Sequence, residues 1–209
     1  MPDSRVEVVA YSLGMQPLVG NDHLASGLFA AVFGCWILFE MALTGRTGRR
    51  RGATRGDRGS NVLIFGSMFA AFFIMGVTAS VSPARMAGDV WAIFAGGIVL
   101  ACAGIGLRVW AILVLGPWFR AVITTAPDQP VVDRGPYSLI RHPSYAGALV
   151  TVLGAALCFA DWLSLLAVVP VFFAYVYRIR VEEAALEKQL GPAYTSYRER
   201  TKRLVPFVF

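Results

Sequence analysis

One polar segment, RGPYSLIRHPSYAG at residues 134–147, precedes an apolar run and holds residue types that bind ligands: two arginines, a histidine, two tyrosines and two prolines. Pro143 suits the first turn of a helix, because its missing N–H costs nothing there and its fixed φ helps the helix to start. Arg141, His142 and Tyr145 then lie at the N-terminal mouth of that helix, where the backbone dipole and free amides favour anionic groups. The segment therefore predicts the floor of a ligand pocket.

A second polar group stands at the end of the apolar run. Arg178 and Glu182 are four residues apart, so on a helix they share one face, where they pair with each other or contact a ligand together. The run itself, residues 145–177, is too long for one membrane crossing, and Asp161 and Trp162 in its middle indicate a tight turn between two short helices. Such a hairpin places the end of its second helix beside the start of its first, so Glu182 and His142 are predicted to be neighbours.

The composition is that of a membrane protein. The 209 residues are 56% hydrophobic and 15% charged, against about 45–50% and about 25% in soluble domains. The stretches long enough, or nearly so, to cross a bilayer are residues 24–43, 62–81, 90–115 and 145–177. With the last stretch divided in two, the sequence predicts an all-α membrane protein with five transmembrane helices, of which spans 4 and 5 form the short hairpin. A charged, cytoplasmic C-terminal helix follows, broken near Gly191 and Pro192.

Arginines cluster in the loop at residues 45–60, GRTGRRRGATRGDRGS. The positive-inside rule puts this loop in the cytoplasm, where it marks topology and can also contact anionic lipids. Five spans then put the N-terminus outside and the C-terminus inside, and we expect the plasma (inner) membrane. The net charge of +6 accordingly indicates topology and contact with membrane lipids, and gives no reason to expect nucleic acid.

Ionisable residues within the predicted spans are few. Arg108 lies inside the third span, where an arginine is costly and is usually paired or functional. Glu40 stands near the end of the first span, where its carboxylate can reach water. The two histidines and three cysteines show no spacing suited to a metal, and no strand followed by GxGxxG suggests a Rossmann nucleotide site.

Three motifs form a specific combination in this order and spacing: RHPSY at residues 141–145, R-x-x-x-E-E at 178–183, and G-x-x-Y-x-x-Y at 191–197. Further matching residues are Leu107, Arg108, Leu115, Gly116, Phe119, Val131, Val132, Gly135, Pro136, Tyr137, Leu186, Leu190 and Pro206. The combination resembles the isoprenylcysteine carboxyl methyltransferase (ICMT) family of integral-membrane enzymes that use S-adenosylmethionine (SAM). The likeness covers about half the chain, from the third span to the C-terminus.

The resemblance implies a cytoplasmic SAM pocket, formed by the hairpin and the connector that precedes RHPSY. Carried over residue by residue, it implies cofactor contacts from Gln129, Pro130, Val131, Val132, Tyr137, His142, Pro143, Ser144, Tyr145 and Glu182. Arg178 matches the arginine assigned to the substrate. On this basis residues 1–115 form an N-terminal three-span region, and residues 116–209 form the cofactor and catalytic region.

The implied chemistry is coherent with these side chains. Methyl transfer from a sulfonium needs an aligned nucleophile and exclusion of water, but no metal. Glu182 can bind the donor's ammonium or ribose hydroxyls, and Tyr137 or Tyr145 can pack on adenine or face the sulfonium. Arg178 would orient an acidic, lipophilic acceptor such as a prenylcysteine-like carboxylate. An amine or thiol acceptor would instead need deprotonation, for which His142 is the candidate base.

Two other functions remain open from the sequence. Membrane reductases of the sterol and steroid type have a similar C-terminal hairpin with an RHP-like turn, and would bind NADPH. A non-enzymatic membrane scaffold could keep the same polar residues for folding alone, because arginines and tyrosines at helix ends also serve as interfacial anchors.

Overall fold

The computed structural model describes residues 17–48, 59–119 and 130–205. Within these ranges the α-helices are α1 (His23–Gly48), α2 (Ser60–Val81), α3 (Val90–Leu115), α4 (Pro143–Leu157), α5 (Val168–Leu190) and α6 (Pro192–Arg200). Short 3₁₀ helices lie at Gly116–Trp118, Gly135–Ser138 and Leu163–Ala167. The described ranges contain no β-strand, only two isolated bridges, so the all-α prediction is confirmed for them.

The helices confirm the prediction that the chain is a membrane protein. Four described segments are long and apolar enough to cross a bilayer: His23–Gly45, Ser60–Val81, Val90–Trp118 and Leu163–Leu190. They correspond to the first, second, third and fifth predicted spans. The 15 residues of α4 cover about 22 Å, less than the hydrocarbon core of about 30 Å. The count of five crossings therefore stays a prediction, as do the orientation and the division at residue 115.

The predicted turn around Asp161 is confirmed, and it contacts the loop between α2 and α3. Asp161 is fully buried, and its Oδ1 accepts the amides of Leu163 (2.8 Å) and Ser164 (3.1 Å), which starts the second arm of the hairpin. Its Oδ2 lies 3.7 Å from a guanidinium nitrogen of Arg85. This end of the bundle is therefore closed by a buried charge pair.

Small residues let α3 and α4 approach closely. A Cβ added at Gly104 would lie 2.6 Å from the carbonyl oxygen of Gly147 and 2.6 Å from the backbone nitrogen of Thr151; one added at Gly154 would lie 2.6 Å from the carbonyl oxygen of Gly97. Interfaces of this kind hold membrane helices together by close backbone packing. The contact fixes the start of α4 against the arginine-bearing part of α3.

The C-terminal segment returns to the start of α4. The helix breaks where predicted: Gly191, with φ +54°, separates α5 from α6. Beyond α6, the carbonyls of Lys202 and Arg203 accept the amides of Arg141 (2.7 Å) and His142 (3.0 Å). The segment thus holds the residues that precede α4 in place.

Candidate active site

The hairpin brings His142 and Glu182 together, as predicted. His142 is the residue before α4 and is 5% exposed, and its Nδ1 lies 3.8 Å from Oε2 of Glu182, on α5. The two side chains are forty positions apart in the chain and meet because the arms of the hairpin are antiparallel. Glu182 keeps a side-chain exposure of 30%. Its carboxylate can therefore be reached by a ligand.

Tyr145 links this pair to Arg178. Its hydroxyl donates to Oε2 of Glu182 (2.7 Å) and accepts from Nε of Arg178 (3.1 Å). Its ring is stacked on His142, with centroids 5.5 Å apart and planes 7° apart, and also on Tyr175 at 4.9 Å. The phenol is therefore fixed in position, with a carboxylate and a guanidinium on its oxygen.

Arg178 also reaches α2. It is 2% exposed, and its NH1 donates to Oγ of Ser60 and to Oδ1 of Asn61, both at 2.9 Å. These two residues begin α2, and sequence reasoning did not place them at the site. The only signal was a pair of small polar residues immediately before an apolar run.

Arg108 is buried and paired, as an intramembrane arginine usually is. Its partner is Glu40: Nε and NH2 both donate to the carboxylate, the latter at 2.6 Å. Glu40 therefore turns toward α3 instead of toward water, which the sequence did not predict. NH1 of Arg108 donates to the carbonyl oxygen (3.1 Å) and to Oγ (2.8 Å) of Ser144, in the first turn of α4.

A cavity of about 610 Å³ opens between α1 and α2 and ends at these polar groups. Its apolar walls are Trp36, Ile37, Met41, Ile64, Phe65, Met68, Phe69, Phe72, Phe73, Phe119 and Tyr175. Its polar lining is Glu40, Thr44, Asn61, Arg108, Tyr145 and Arg178. Several of the wall residues also face outward, among them Phe69 (84% exposed) and Met41 (61% exposed). The cavity thus joins the membrane-facing surface to the polar cluster.

Glu183 has a different environment from its neighbour Glu182. It is 4% exposed, and its carboxylate accepts from Arg141 (2.8 Å) and Arg203 (2.9 Å) and lies 3.4 Å from Nε2 of His142. The sequence did not separate the two glutamates by role. Glu183 ties together the residues before α4, the end of α5 and the C-terminal segment.

The remaining predicted cofactor residues lie on or before α4. Pro143 is the first residue of that helix and is buried. Tyr137, in the 3₁₀ helix Gly135–Ser138, is buried, and burial holds the pKa of its phenol well above the ordinary value. Upstream, Pro130 is exposed, Val131 and Val132 are half-buried, and Gln129 lies outside the described residues. The structure therefore clusters His142, Ser144, Tyr145, Glu182 and Arg178.

Comparison with known proteins identifies the segment that carries this cluster. Residues 97–188 match the model of the isoprenylcysteine carboxyl methyltransferase (ICMT) family. This segment is therefore similar to the ICMT family. It contains α4, most of α3 and nearly all of α5, and with them every residue of the cluster, whereas Glu40, Ser60 and Asn61 lie outside it. The resemblance found in the motifs is confirmed.

Relatives share the same part of the chain. Protein-S-isoprenylcysteine O-methyltransferase B of Arabidopsis thaliana is 32% identical over 121 residues, which cover 56% of this chain and 61% of the plant protein. Protein-S-isoprenylcysteine O-methyltransferase of Schizosaccharomyces pombe is 30% identical over 110 residues, covering 51% of this chain and 47% of the yeast protein. The chain thus spans only about half to three fifths of these relatives.

The likeness in fold extends over a longer range of the chain. A solved structure of the eukaryotic intramembrane Ras methyltransferase ICMT is similar over 91% of this chain and 70% of the other chain, with a TM-score of 0.58 at 17% identity. The likeness in fold therefore includes α1 and α2, which carry no ICMT motif.

Proposed function

We propose that this protein is an integral-membrane methyltransferase that transfers the methyl group of S-adenosylmethionine to a lipophilic acceptor, a prenylcysteine-like carboxylate. The observation that carries the proposal is the cavity between α1 and α2, which ends at Arg178 and Tyr145, one hydrogen bond from Glu182. The ICMT family match of residues 97–188 supports the same chemistry.

The acceptor half of the site is the cavity. Its aromatic and aliphatic walls suit a hydrocarbon chain, because they are as apolar as the lipid tails that the chain would leave and keep it out of water. Its outward-facing wall residues give such a chain a path from the bilayer. At its inner end the guanidinium of Arg178 attracts a carboxylate headgroup, and charge-assisted hydrogen bonds from arginine are among the strongest in proteins.

The donor half of the site is the region around Glu182, His142 and the start of α4. The residues there fit the polar part of SAM. A partly exposed carboxylate suits an ammonium or a pair of ribose hydroxyls, and the positive end of the helix dipole at the start of α4 favours a carboxylate. Tyr145 lies between Glu182 and Arg178 and borders both halves.

Bound SAM would supply an electrophilic methyl group attached to a sulfonium. The contribution of the chain is to hold the acceptor in line with that group and to exclude water. Arg178 orients the acceptor, and the stacked rings of His142, Tyr145 and Tyr175 form an aromatic wall beside it. A carboxylate acceptor is already the nucleophile, so it needs no base. An amine or thiol would have to lose a proton, and the predicted base, His142, lies in the donor half with its ring nitrogens facing Glu182 and Glu183 (3.8 and 3.4 Å).

We further propose that the end of the bundle bearing the site faces the cytoplasm of the cell. The arginine-rich loop at residues 45–60 lies mostly outside the described residues, but it joins α1 to α2 at the same end as Ser60 and Arg178. The positive-inside rule places that end in the cytoplasm, where soluble SAM is available.

Calorimetric titration of the purified protein with SAM and, separately, with NADPH tests the donor half. We expect SAM binding that is lost in Glu182→Ala and His142→Ala and is retained in Glu187→Gln, an exposed glutamate one turn and a residue further along α5. NADPH binding would favour a reductase, and binding of neither ligand would favour a scaffold; either result contradicts the proposal.

The acceptor half is tested by Arg178→Lys, which keeps the charge but loses the planar fork of the guanidinium. We expect turnover of a prenylcysteine acceptor with labelled SAM to fall at least tenfold while SAM affinity stays within threefold. An equal loss of SAM affinity would show that Arg178 contributes to binding the donor, which contradicts its assignment to the acceptor. The same label, supplied with a lipid extract, identifies the acceptor if a prenylcysteine is not methylated.

A further inference from the structure

We infer that Glu40, on α1 and outside the ICMT segment, is a positioning residue that acts through Arg108 to orient the hydroxyl of Ser144 toward the methyl donor. This inference rests on the function proposed above. Glu40, Arg108 and Ser144 form a continuous chain of hydrogen bonds across α1, α3 and α4.

The first link fixes the carboxylate. Trp36, one turn before Glu40 on α1, donates its indole N–H to Oε1 of Glu40 at 3.1 Å. Arg108 then uses Nε and NH2 on the two carboxylate oxygens. A two-point contact of this kind determines the plane of the guanidinium as well as its position. The direction of NH1 is therefore set from α1.

The second link determines what Ser144 can do. NH1 of Arg108 donates to Oγ of Ser144 at 2.8 Å and to its carbonyl oxygen at 3.1 Å. A serine hydroxyl whose oxygen accepts from an arginine directs its own hydrogen to another acceptor. Ser144 is in the first turn of α4, where Pro143 has no N–H and the amides of Tyr145 and Ala146 already donate to the carbonyl oxygen of His142 (3.1 and 3.0 Å). The hydroxyl hydrogen of Ser144 is therefore a donor that this turn can offer to an anionic group, such as the carboxylate of an amino-acid donor.

A purely structural role for the ion pair would have a different consequence. Removing Glu40 leaves a buried guanidinium without its counter-charge, which destabilises the fold whatever Ser144 does. In that case the loss of Glu40 and the loss of the Ser144 hydroxyl would affect donor binding independently. If Glu40 acts through Ser144, their effects on donor binding must be coupled.

A double-mutant cycle on SAM affinity distinguishes these cases. The dissociation constant is measured by calorimetry on the full chain for the wild type, Glu40→Gln, Ser144→Ala and the double variant. Loss of one hydrogen bond from a charged network weakens binding about tenfold. We expect each single variant to show this loss and the double variant to show about the same tenfold loss.

A double variant weakened about a hundredfold, or a Glu40→Gln protein with unchanged SAM affinity, would overturn the inference. Glu187→Gln, at an exposed glutamate of α5, is the matched control and should leave the affinity unchanged. If Glu40→Gln does not fold, Trp36→Phe replaces it in the cycle, because it removes the indole contact and leaves both charges. Absence of SAM binding by the wild type would instead refute the proposed function, and this inference with it.

Discussion

The close approach of α3 and α4 predicts that one methyl group at Gly104 will disturb both the fold and the site. In Gly104→Ala the new Cβ would meet the carbonyl oxygen of Gly147 and the backbone and hydroxyl of Thr151, each at 2.6 Å. Ordinary contacts of a Cβ begin at 3.4 Å, so the methyl group lacks about 0.8 Å of room. Backbone atoms cannot rotate away as a side chain can, and the two helices must therefore separate.

The cost can be estimated against a matched control in the same helix. Overpacking of this size costs about 1–3 kcal/mol, while alanine in a helix is favoured over glycine by about 0.5–1 kcal/mol. Gly106→Ala gains the helix preference of alanine without any overpacking, because no atom lies within 4 Å of a Cβ at that position. Gly104→Ala should therefore be less stable than Gly106→Ala by about 1–3 kcal/mol.

Thermal unfolding of the two purified variants in the same detergent measures this difference, and we expect Gly104→Ala to unfold several degrees lower. SAM affinity should also fall in Gly104→Ala, since Arg108 lies one turn further along α3 and its contact with Ser144 spans the same interface. Equal unfolding temperatures for the two variants would refute the close packing of α3 on α4 and the reasoning from it.

Substitutions at two further residues test the ends of the bundle. Asp161→Ala removes the acceptor for two following amides and the charge that faces Arg85, so the variant should lose about 3 kcal/mol of stability. Asp161→Asn keeps an acceptor oxygen and should recover about 1–2 kcal/mol of that loss. Burial raises the pKa of Tyr197 to about 12 from about 10; its neutral form stabilises the fold below pH 10, and this stabilisation is lost as the pH rises toward 12. Tyr197→Phe, which lacks the hydrogen bond to the Tyr137 carbonyl (2.7 Å), should be less stable by about 1 kcal/mol at pH 8 and should show a flatter decline of unfolding temperature between pH 10 and 12. A wild-type-like decline in that variant would contradict the pKa assignment.

Sequence patterns predicted the helices well because the bilayer constrains their length. The third span was predicted at residues 90–115 and is observed at Val90–Leu115. The hairpin was predictable because Asp161 interrupts an apolar run that is too long for one crossing, and antiparallel arms then bring His142 to Glu182. The roles of these residues, and of the other predicted cofactor contacts, stay predictions.

Rotation of the helices about their axes was not predictable. Helices α1 and α2 are apolar on all sides, so no stripe of polar residues indicates which face turns inward. Glu40 is 68 positions from Arg108, and no short-range spacing connects them. One usable signal was present in the contact of α3 with α4: Gly97 and Gly104 are seven residues apart, as are Gly147 and Gly154, which is the spacing of small residues on one helix face.

The adjacent glutamates show how one helix separates a structural carboxylate from an available one. Successive residues of an α-helix point about 100° apart, so Glu182 and Glu183 must face different neighbours. Glu183 is 4% exposed and forms ion pairs with Arg141 and Arg203, so its negative charge is balanced by residues of the protein itself. Glu182 accepts a hydrogen bond from the Tyr145 hydroxyl, and its side chain remains 30% exposed. A cationic or hydroxyl-bearing ligand therefore gains more from Glu182, and Glu183→Gln should act on SAM affinity indirectly, by loosening the residues that hold His142.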